Sequence, residues 1–496
     1  KALSSEYFQE KLVKLIANDN GIANGSKIVT ELQYAKYKGE TVIPFKAMST
    51  ANPSLYTTIT SVAAVITERA NDEPFNIFIA GGNPTPISSN IIYVNSLQTT
   101  GLNNGTSWTN AYNSLQDALT NSTSGKDIWV AKGIYKPTTG TDKNISFQLK
   151  SGVNLYGGFS GTETEFTQRN SNTNITILSG DLNNSNSANA GDSSHIIYSE
   201  QVNNATLDGF TIKHGFENSY GGGGALFNLA SSPTLTNLIF SNNSAYYGGA
   251  IHNASSSPTI TNVTFSNNSS FYNGGAVYNT HGANPILKNV IFSGNSSASG
   301  YGGGAIYNYI SSPTLTNVVF SNNSAIQAKG GAILNDSYSA PTIINSVFSN
   351  NSAALGGGIY NYESSLTIFN STFSNNSVGY DGGGSIYNFD SSLTITNSIL
   401  WSTLTQNSTI YNSYSTPIIS YSDIKGGNNL NNNISSDPLF VDSANPAGAD
   451  GKFFTADDGL ALQSTSPAKN IGTLAGAPQN NILGISNTGT INMGAY

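Results

Sequence analysis

A beat of about 27 residues restricts this chain more than any other feature. From residue 221 the pattern GG[AGS]-aliphatic-x-N recurs, with its small residue at Ala225, Ala250, Ala276, Ala305, Ala332, Gly358 and Ser385. The intervals are 25, 26, 29, 27, 26 and 27 residues. A second pattern, F-S-[NG]-N-S, keeps the same time at Phe240, Phe265, Phe292, Phe320, Phe348 and Phe373. A third, P-T-[LI]-x-N, places Asn237, Asn262, Asn289, Asn317, Asn345, Asn370 and Asn397. Units this short cannot bury an apolar face alone, so columns sharing one period imply a stacked solenoid. Each coil holds three short β-type stretches separated by Gly, Asn and Ser, and none is periodic enough for a helix. The expected fold is all-β, a right-handed parallel β-helix whose coils rise by ~4.8 Å each.

Alternation along a strand then assigns directions. The aliphatic column Leu226, Ile251, Val277, Ile306, Ile333, Ile359 and Ile386 never turns polar and must face inward. Two residues on, Asn228, Asn253, Asn279, Asn308, Asn335, Asn361 and Asn388 share that side and can hydrogen-bond along the axis as a ladder. The many N-x-S/T matches are read as ladder positions rather than glycan acceptors. Between the two columns, Phe227, His252, Tyr278, Tyr307, Leu334, Tyr360 and Tyr387 form an outward, exposed and largely aromatic stripe.

Three regions are expected. Residues 89–440 form the β-helix and residues 441–496 a C-terminal cap. Residues 1–88 form a small α+β unit for assembly or capping, with an amphipathic start SEYFQEKLVKLIAND and apolar segments at Ile59–Ile66 and Phe75–Ile79. In SWTNAYNSLQDAL, a helix carrying Leu115 and Leu119 would plug the first coil and cover its unpaired edge.

Composition narrows the function. Only 10% of residues are charged, yet 26 Tyr and 22 Phe are too many for a disordered chain. A net charge of −8 with just two arginines, Arg69 and Arg169, argues against nucleic acid, which needs clustered cations. No apolar run reaches the roughly 20 residues of a membrane helix. Without cysteine there are no disulfides or thiolate metal sites. The chain opens on Lys1 rather than Met, which fits a removed leader or a cloning boundary.

The paired GGA[IL] and FxxN motifs resemble those of chlamydial polymorphic outer membrane proteins and of pectin-lyase-like β-helix surface proteins. YVN…NNGTSWTNAYNSLQDAL and LYGGFSGTETEFTQRN resemble secreted β-helix proteins of the Bacteroidetes. The ending DPLFVDSANPAGADGKFFTADDGLALQSTSPAKNIG…GTINMGAY is similar to the choice-of-anchor Q domain. Together these cover residues 91–496 and imply an extracellular, cell-surface or released protein exported by type IX secretion, with a sorting signal lost after Tyr496.

Pectin-lyase-like folds also host polysaccharide lyases and hydrolases. Lyases of that type use calcium-binding carboxylates and an Arg or Lys base, but residues 170–496 hold no arginine and their six lysines share no register. Hydrolases need paired carboxylates, and the best pair is Glu363 and Asp390, in one register on adjacent coils. His281 shares that register and Asp336 lies one residue off it. Asp208, Lys213 and His214 form a lesser candidate, and a solvated turn explains each as well. Asp442, Asp450, Asp457 and Asp458 crowd a Gly-bent segment that suits calcium or a plain acidic turn. Otherwise no cofactor is expected. The stripe suits surface glycans, a neighbouring subunit or packing on itself. The reading is a non-catalytic structural or adhesive protein, a stalk or a self-assembling filament subunit joined head-to-tail or laterally. Its alternative is a carbohydrate-active or glycan-binding β-helix.

Overall fold

A computed structural model describes residues 90–496 except 380–381, 403–408 and 488, plus six short strands between residues 16 and 80. The chain divides into two compact units, 1–89 and 90–496. In the first, Gly39–Val42, Ala63–Ile66 and Ile79–Ala80 form one antiparallel sheet. Ile16–Ala17, Phe45–Ser49 and Tyr56–Ile59 form a second, mixed sheet, parallel between the first two and antiparallel between the last two. Ile16 and Ala17, in the amphipathic start, are thus extended, whereas the rest of that segment lies outside the described residues.

The second unit is a parallel β-solenoid of about 11 turns with ~27 residues per turn. Its coils build three long faces. The broad face carries strands such as Thr259–Ser266, the narrow face Ile251–Ala254, and the third face Ser269–Asn273. Register is continuous: Ile251 pairs with Val277, which pairs with Ile306, and so on to Ile410. That aliphatic column has no accessible surface from Leu226 to Ile386.

The repeated letters each answer a steric demand. The first Gly of the GG pair, at Gly248 or Gly274, has φ of 55° or 66°, which favours a residue without Cβ. At the second, a Cβ on Gly275 would lie 2.0 Å from the Gly304 carbonyl oxygen of the next coil. Phe240 to Phe373 form a fully buried column of parallel rings, with centroids 4.3–5.0 Å apart.

Asparagine makes three ladders rather than the one expected. Asn228 to Asn388 donate side chain to side chain up the narrow face, as from Asn253 to Asn279 at 2.9 Å. A second, Asn243 to Asn376, sits at the next corner and also caps backbone groups. The third, Asn237 to Asn345, runs along the bend of the broad face in left-handed backbone, with φ near 50°. It starts on Asp208, whose carboxylate accepts from Asn237 at 2.9 Å and pairs with Arg169 at 2.8 Å.

A helix, α1 (Leu115–Asn121), covers the start of the core with Leu115, Ala118 and Leu119 buried. It is shorter than the segment expected to form it, because Ser114 caps it by accepting from the Asp117 amide. The C-terminal region is not confined to the end of the solenoid. It returns along the outer side of the broad face, where Leu460, Ile482 and Tyr496 bury the outward residues Val319 and Val347. Asn345 donates to Asn480 O, and Asn397 bonds Thr473 in both directions. Outward valines and Ile399 explain the placement: apolar side chains at solvent-facing positions need a cover.

Candidate functional site

Strand pairing carries the aromatic stripe of the narrow face from Tyr198 through Phe227, His252, Tyr278, Tyr307, Leu334, Tyr360 and Tyr387 to Tyr411. Its neighbours stack, with centroids 4.9 Å apart at Tyr360–Tyr387 and 4.8 Å at Tyr387–Tyr411. The side chains leave the core as expected but are not the exposed strip expected of them. Tyr307, Leu334 and Tyr360 are buried, and Phe227, His252, Tyr278 and Tyr387 are half-buried. Segments leading into the GG turns fold over them: Leu355 packs on the cluster and the Lys329 ammonium sits 4.9 Å from the Tyr360 ring centroid. The Tyr307 hydroxyl donates to Asp336 at 2.5 Å, so burial and this carboxylate push its pKa up. Burial, with His195 and His281 adding like charge, holds His252 down to about 3, a neutral ring at ordinary pH. Tyr307 and Tyr360 therefore offer no open ring face to a glycan.

Glu363 and Asp390 do fall on adjacent coils, where the Glu363 amide donates to Phe389 O. Both have positive φ, 47° and 43°, at a turn that follows each narrow-face strand. Ala230, Ser255, His281, Ile310 and Tyr414 hold the same left-handed turn elsewhere. The position selects backbone geometry, not charge. Asp336 is instead buried under the stripe. Asp208 is engaged by Arg169 and Asn237, while His214 is a buried left-handed residue whose pKa burial lowers. Arg169 also lies over the rings of Phe166 and Tyr156, at 4.7 and 5.6 Å.

The four C-terminal aspartates do not converge on one point. Asp442 accepts from the Ala444 and Asn445 amides, and Asp450 from the Lys452 amide. Asp457 accepts from the Asp450 amide and Thr455, while Asp458 is buried and accepts from the Tyr496 hydroxyl at 3.0 Å. Among the described residues no three His, Cys, Asp or Glu side chains group around a possible metal. Sequence reasoning missed a groove of about 730 Å³ between the broad face and the returning tail. Asn262, Asn289, Asn317, Lys288, Ile291 and Phe454 line it.

Asp423 is a further titratable group without a role in these surfaces. It has no accessible surface, and Oδ2 lacks a partner. Burial lifts its pKa to about 7, with the Ser436 amide opposing and the Asp437 charge adding. Because the folded value exceeds the unfolded one of ~3.9, its contribution is most favourable at low pH and is lost as pH rises through 7. Asp423→Asn is thus expected to raise the melting temperature at pH above about 8 and to change it little near pH 3.5, read by calorimetry. A uniform drop at both pH values would contradict this.

Five stretches, residues 237–254, 262–280, 289–309, 317–336 and 345–362, match the Chlamydia polymorphic membrane protein repeat. Among solved structures, pectate lyase Pel9A aligns with a TM-score of 0.50 at 17% identity, over 82% of this chain and 96% of that one. The fold is pectate lyase-like. XylC in complex with xylose aligns at TM-score 0.45 and 9% identity over 82% and 98% of the two chains. A rhamnogalacturonan lyase does so at 0.40 and 10% over 75% and 96%. No curated protein sequence matches the chain.

Proposed function

We propose that this protein is a non-catalytic extracellular solenoid, a structural or adhesive stalk that self-associates at the cell surface. The supporting observation is the turn register of Glu363 and Asp390. The same left-handed turn takes Ala, Ser, His, Ile or Tyr on other coils, so the two acids need no catalytic explanation. The polymorphic membrane protein repeats point the same way, and no helix of the described residues is long and apolar enough to cross a membrane. Association belongs to this proposal, head-to-tail or lateral. The last coil supports it, because Ile410, Ile419 and Ile424 line an opening of about 630 Å³ beside the exposed Leu430. Electron microscopy of native material should show oligomers or filaments; monomers alone at high concentration would count against association.

A second reading has one specific support. The groove beside the tail combines amide, hydroxyl and ammonium groups with Phe454, a lining suited to a sugar chain. In a polysaccharide-degradation screen the wild type is expected to be inactive, and Glu363→Gln and Asp390→Asn to be indistinguishable from it. Turnover abolished by either substitution would overturn the non-catalytic reading. A glycan array tests the groove separately, with Lys288→Ala and Phe454→Ala as its probes.

A further inference from the structure

The loop between strands Thr176–Ser179 and Ile197–Glu200 reads DLNNSNSANAGD from Asp181 to Asp192. Eight of its residues carry side-chain oxygens, and six of them fall at positions 1, 3, 5, 7, 9 and 12 of twelve: Asp181, Asn183, Ser185, Ser187, Asn189 and Asp192, with Asn184 and Asn186 at positions 4 and 6. That is the order in which a twelve-residue loop wraps calcium, with a backbone carbonyl at position 7 and a carboxylate at 12. Position 6 of such a loop needs a sharp left-handed turn. Here it is Asn186 at φ 58°, from the residue type that adopts this conformation best after glycine, and Asn184 at position 4 is left-handed too, at φ 59°.

The backbone is already wrapped around Asp181, whose two oxygens accept from the Ser185 and Asn186 amides at 2.8 and 3.0 Å. The other candidate ligands have gathered too. The Asn189 amide group lies 2.5 Å from Ser185 Oγ and 3.2 Å from Ser187 O, and its Oδ1 is 2.6 Å from the Asn183 amide. A partly positive NH2 thus stands between oxygens, as a cation would. Turning the two amides about their axes exchanges nitrogen for oxygen at nearly the same positions.

An independent sign comes from Asp192. It has no accessible surface, Oδ2 accepts from the Asn189 amide at 2.8 Å, and Oδ1 has no partner. A buried carboxylate oxygen left bare is costly unless a cation or donor meets it. Two lysines stand near the loop: Lys136 bonds Asn184 at position 4, which supplies no ligand, and Lys213 shares a pocket with Asn186, Ser187 and Ala188. The set is all oxygen with two carboxylates, which favours calcium over magnesium's stricter, more hydrated octahedron.

We propose that residues 181–192 form a calcium site that pins the irregular early coils of the solenoid. With only two carboxylates its affinity should be modest, a dissociation constant of about 0.1–1 mM, as in extracellular modules. The test is calorimetric titration of the full chain with calcium chloride after chelator treatment. One site is expected, and Asp181→Asn and Asp192→Asn should each weaken it at least ~10-fold. The double variant Asp450→Asn/Asp457→Asn, in the C-terminal segment, should leave it unchanged. Should Asp192→Asn fail to fold, Asn183→Ala combined with Asn189→Ala decides, because Asn183 is exposed and Asn189 only half-buried. That pair should keep the β-type circular dichroism and lose affinity. No binding up to about 10 mM calcium, binding that survives these loop substitutions, or binding lost in the C-terminal variant would each overturn the proposal.

Discussion

Phe292→Ala is expected to lower the unfolding free energy of the solenoid by about 3–5 kcal/mol. The ring has no accessible surface and stacks on Phe265 at 4.7 Å and on Phe320 at 4.9 Å, each within 4° of parallel. Its removal costs the transfer free energy of a phenyl group and leaves a cavity bounded by both neighbours. The coils above and below are fixed by register, so collapse into that space is limited. Phe292→Leu should cost far less, about 1 kcal/mol, since aliphatic residues stand in this column at Ile212 and Leu400. Denaturant titration followed by circular dichroism separates the two. Equal losses would show that ring stacking and volume contribute little here.

Asn295→Asp should destabilise comparably near neutral pH and recover in acid. Asn295 has no accessible surface and accepts from the amide and side chain of Asn268, both at 3.0 Å. It donates to Phe265 O at 3.0 Å and to Asn323 Oδ1 at 2.9 Å. A carboxylate keeps the accepting half, loses both donations and turns a charge towards two other oxygens. Each unmet buried group costs about 1–3 kcal/mol, and a charged one more. Without a cation beside it, the new acid's folded pKa lies above the unfolded ~3.9. The variant's stability is therefore greatest at low pH and falls as pH rises through that folded value. Asn295→Ala should lose stability without this slope. Melting curves between about pH 4 and 8 check both, and parallel pH profiles for the two variants would contradict the argument.

Much of the fold is legible because a parallel solenoid writes one contact many times. The inward column from Leu226 to Ile386 and its Asn companion needed only alternation and the beat. The stripe shows where that logic stops. Alternation says that Tyr307 leaves the core, but not that Lys329 and Leu355, in segments of variable length, fold over its neighbours. The path of the tail was hidden for a related reason, since its contacts with Val319 and Val347 link residues more than a hundred positions apart. The ring column and two of the ladders were present as letters, yet Asn and Phe do not announce whether they face in. The loop at 181–192 is the subtler case. Its spacing is visible, but in a chain rich in Asn and Ser such spacings have little contrast, and the burial of Asp192 gives it meaning.

The three amide ladders and the backbone pairing between coils share one orientation, along the axis. Tension applied between the ends of the solenoid would load these bonds in series rather than side by side. The molecule is then expected to yield by peeling, one coil at a time from an end, instead of shearing as a block. Each released coil of ~27 residues adds about 90 Å of extended chain, so force–extension curves should show a sawtooth of that step. A stalk built this way is a chain of equal mechanical fuses, and its reach under load is set by how many coils it can give up.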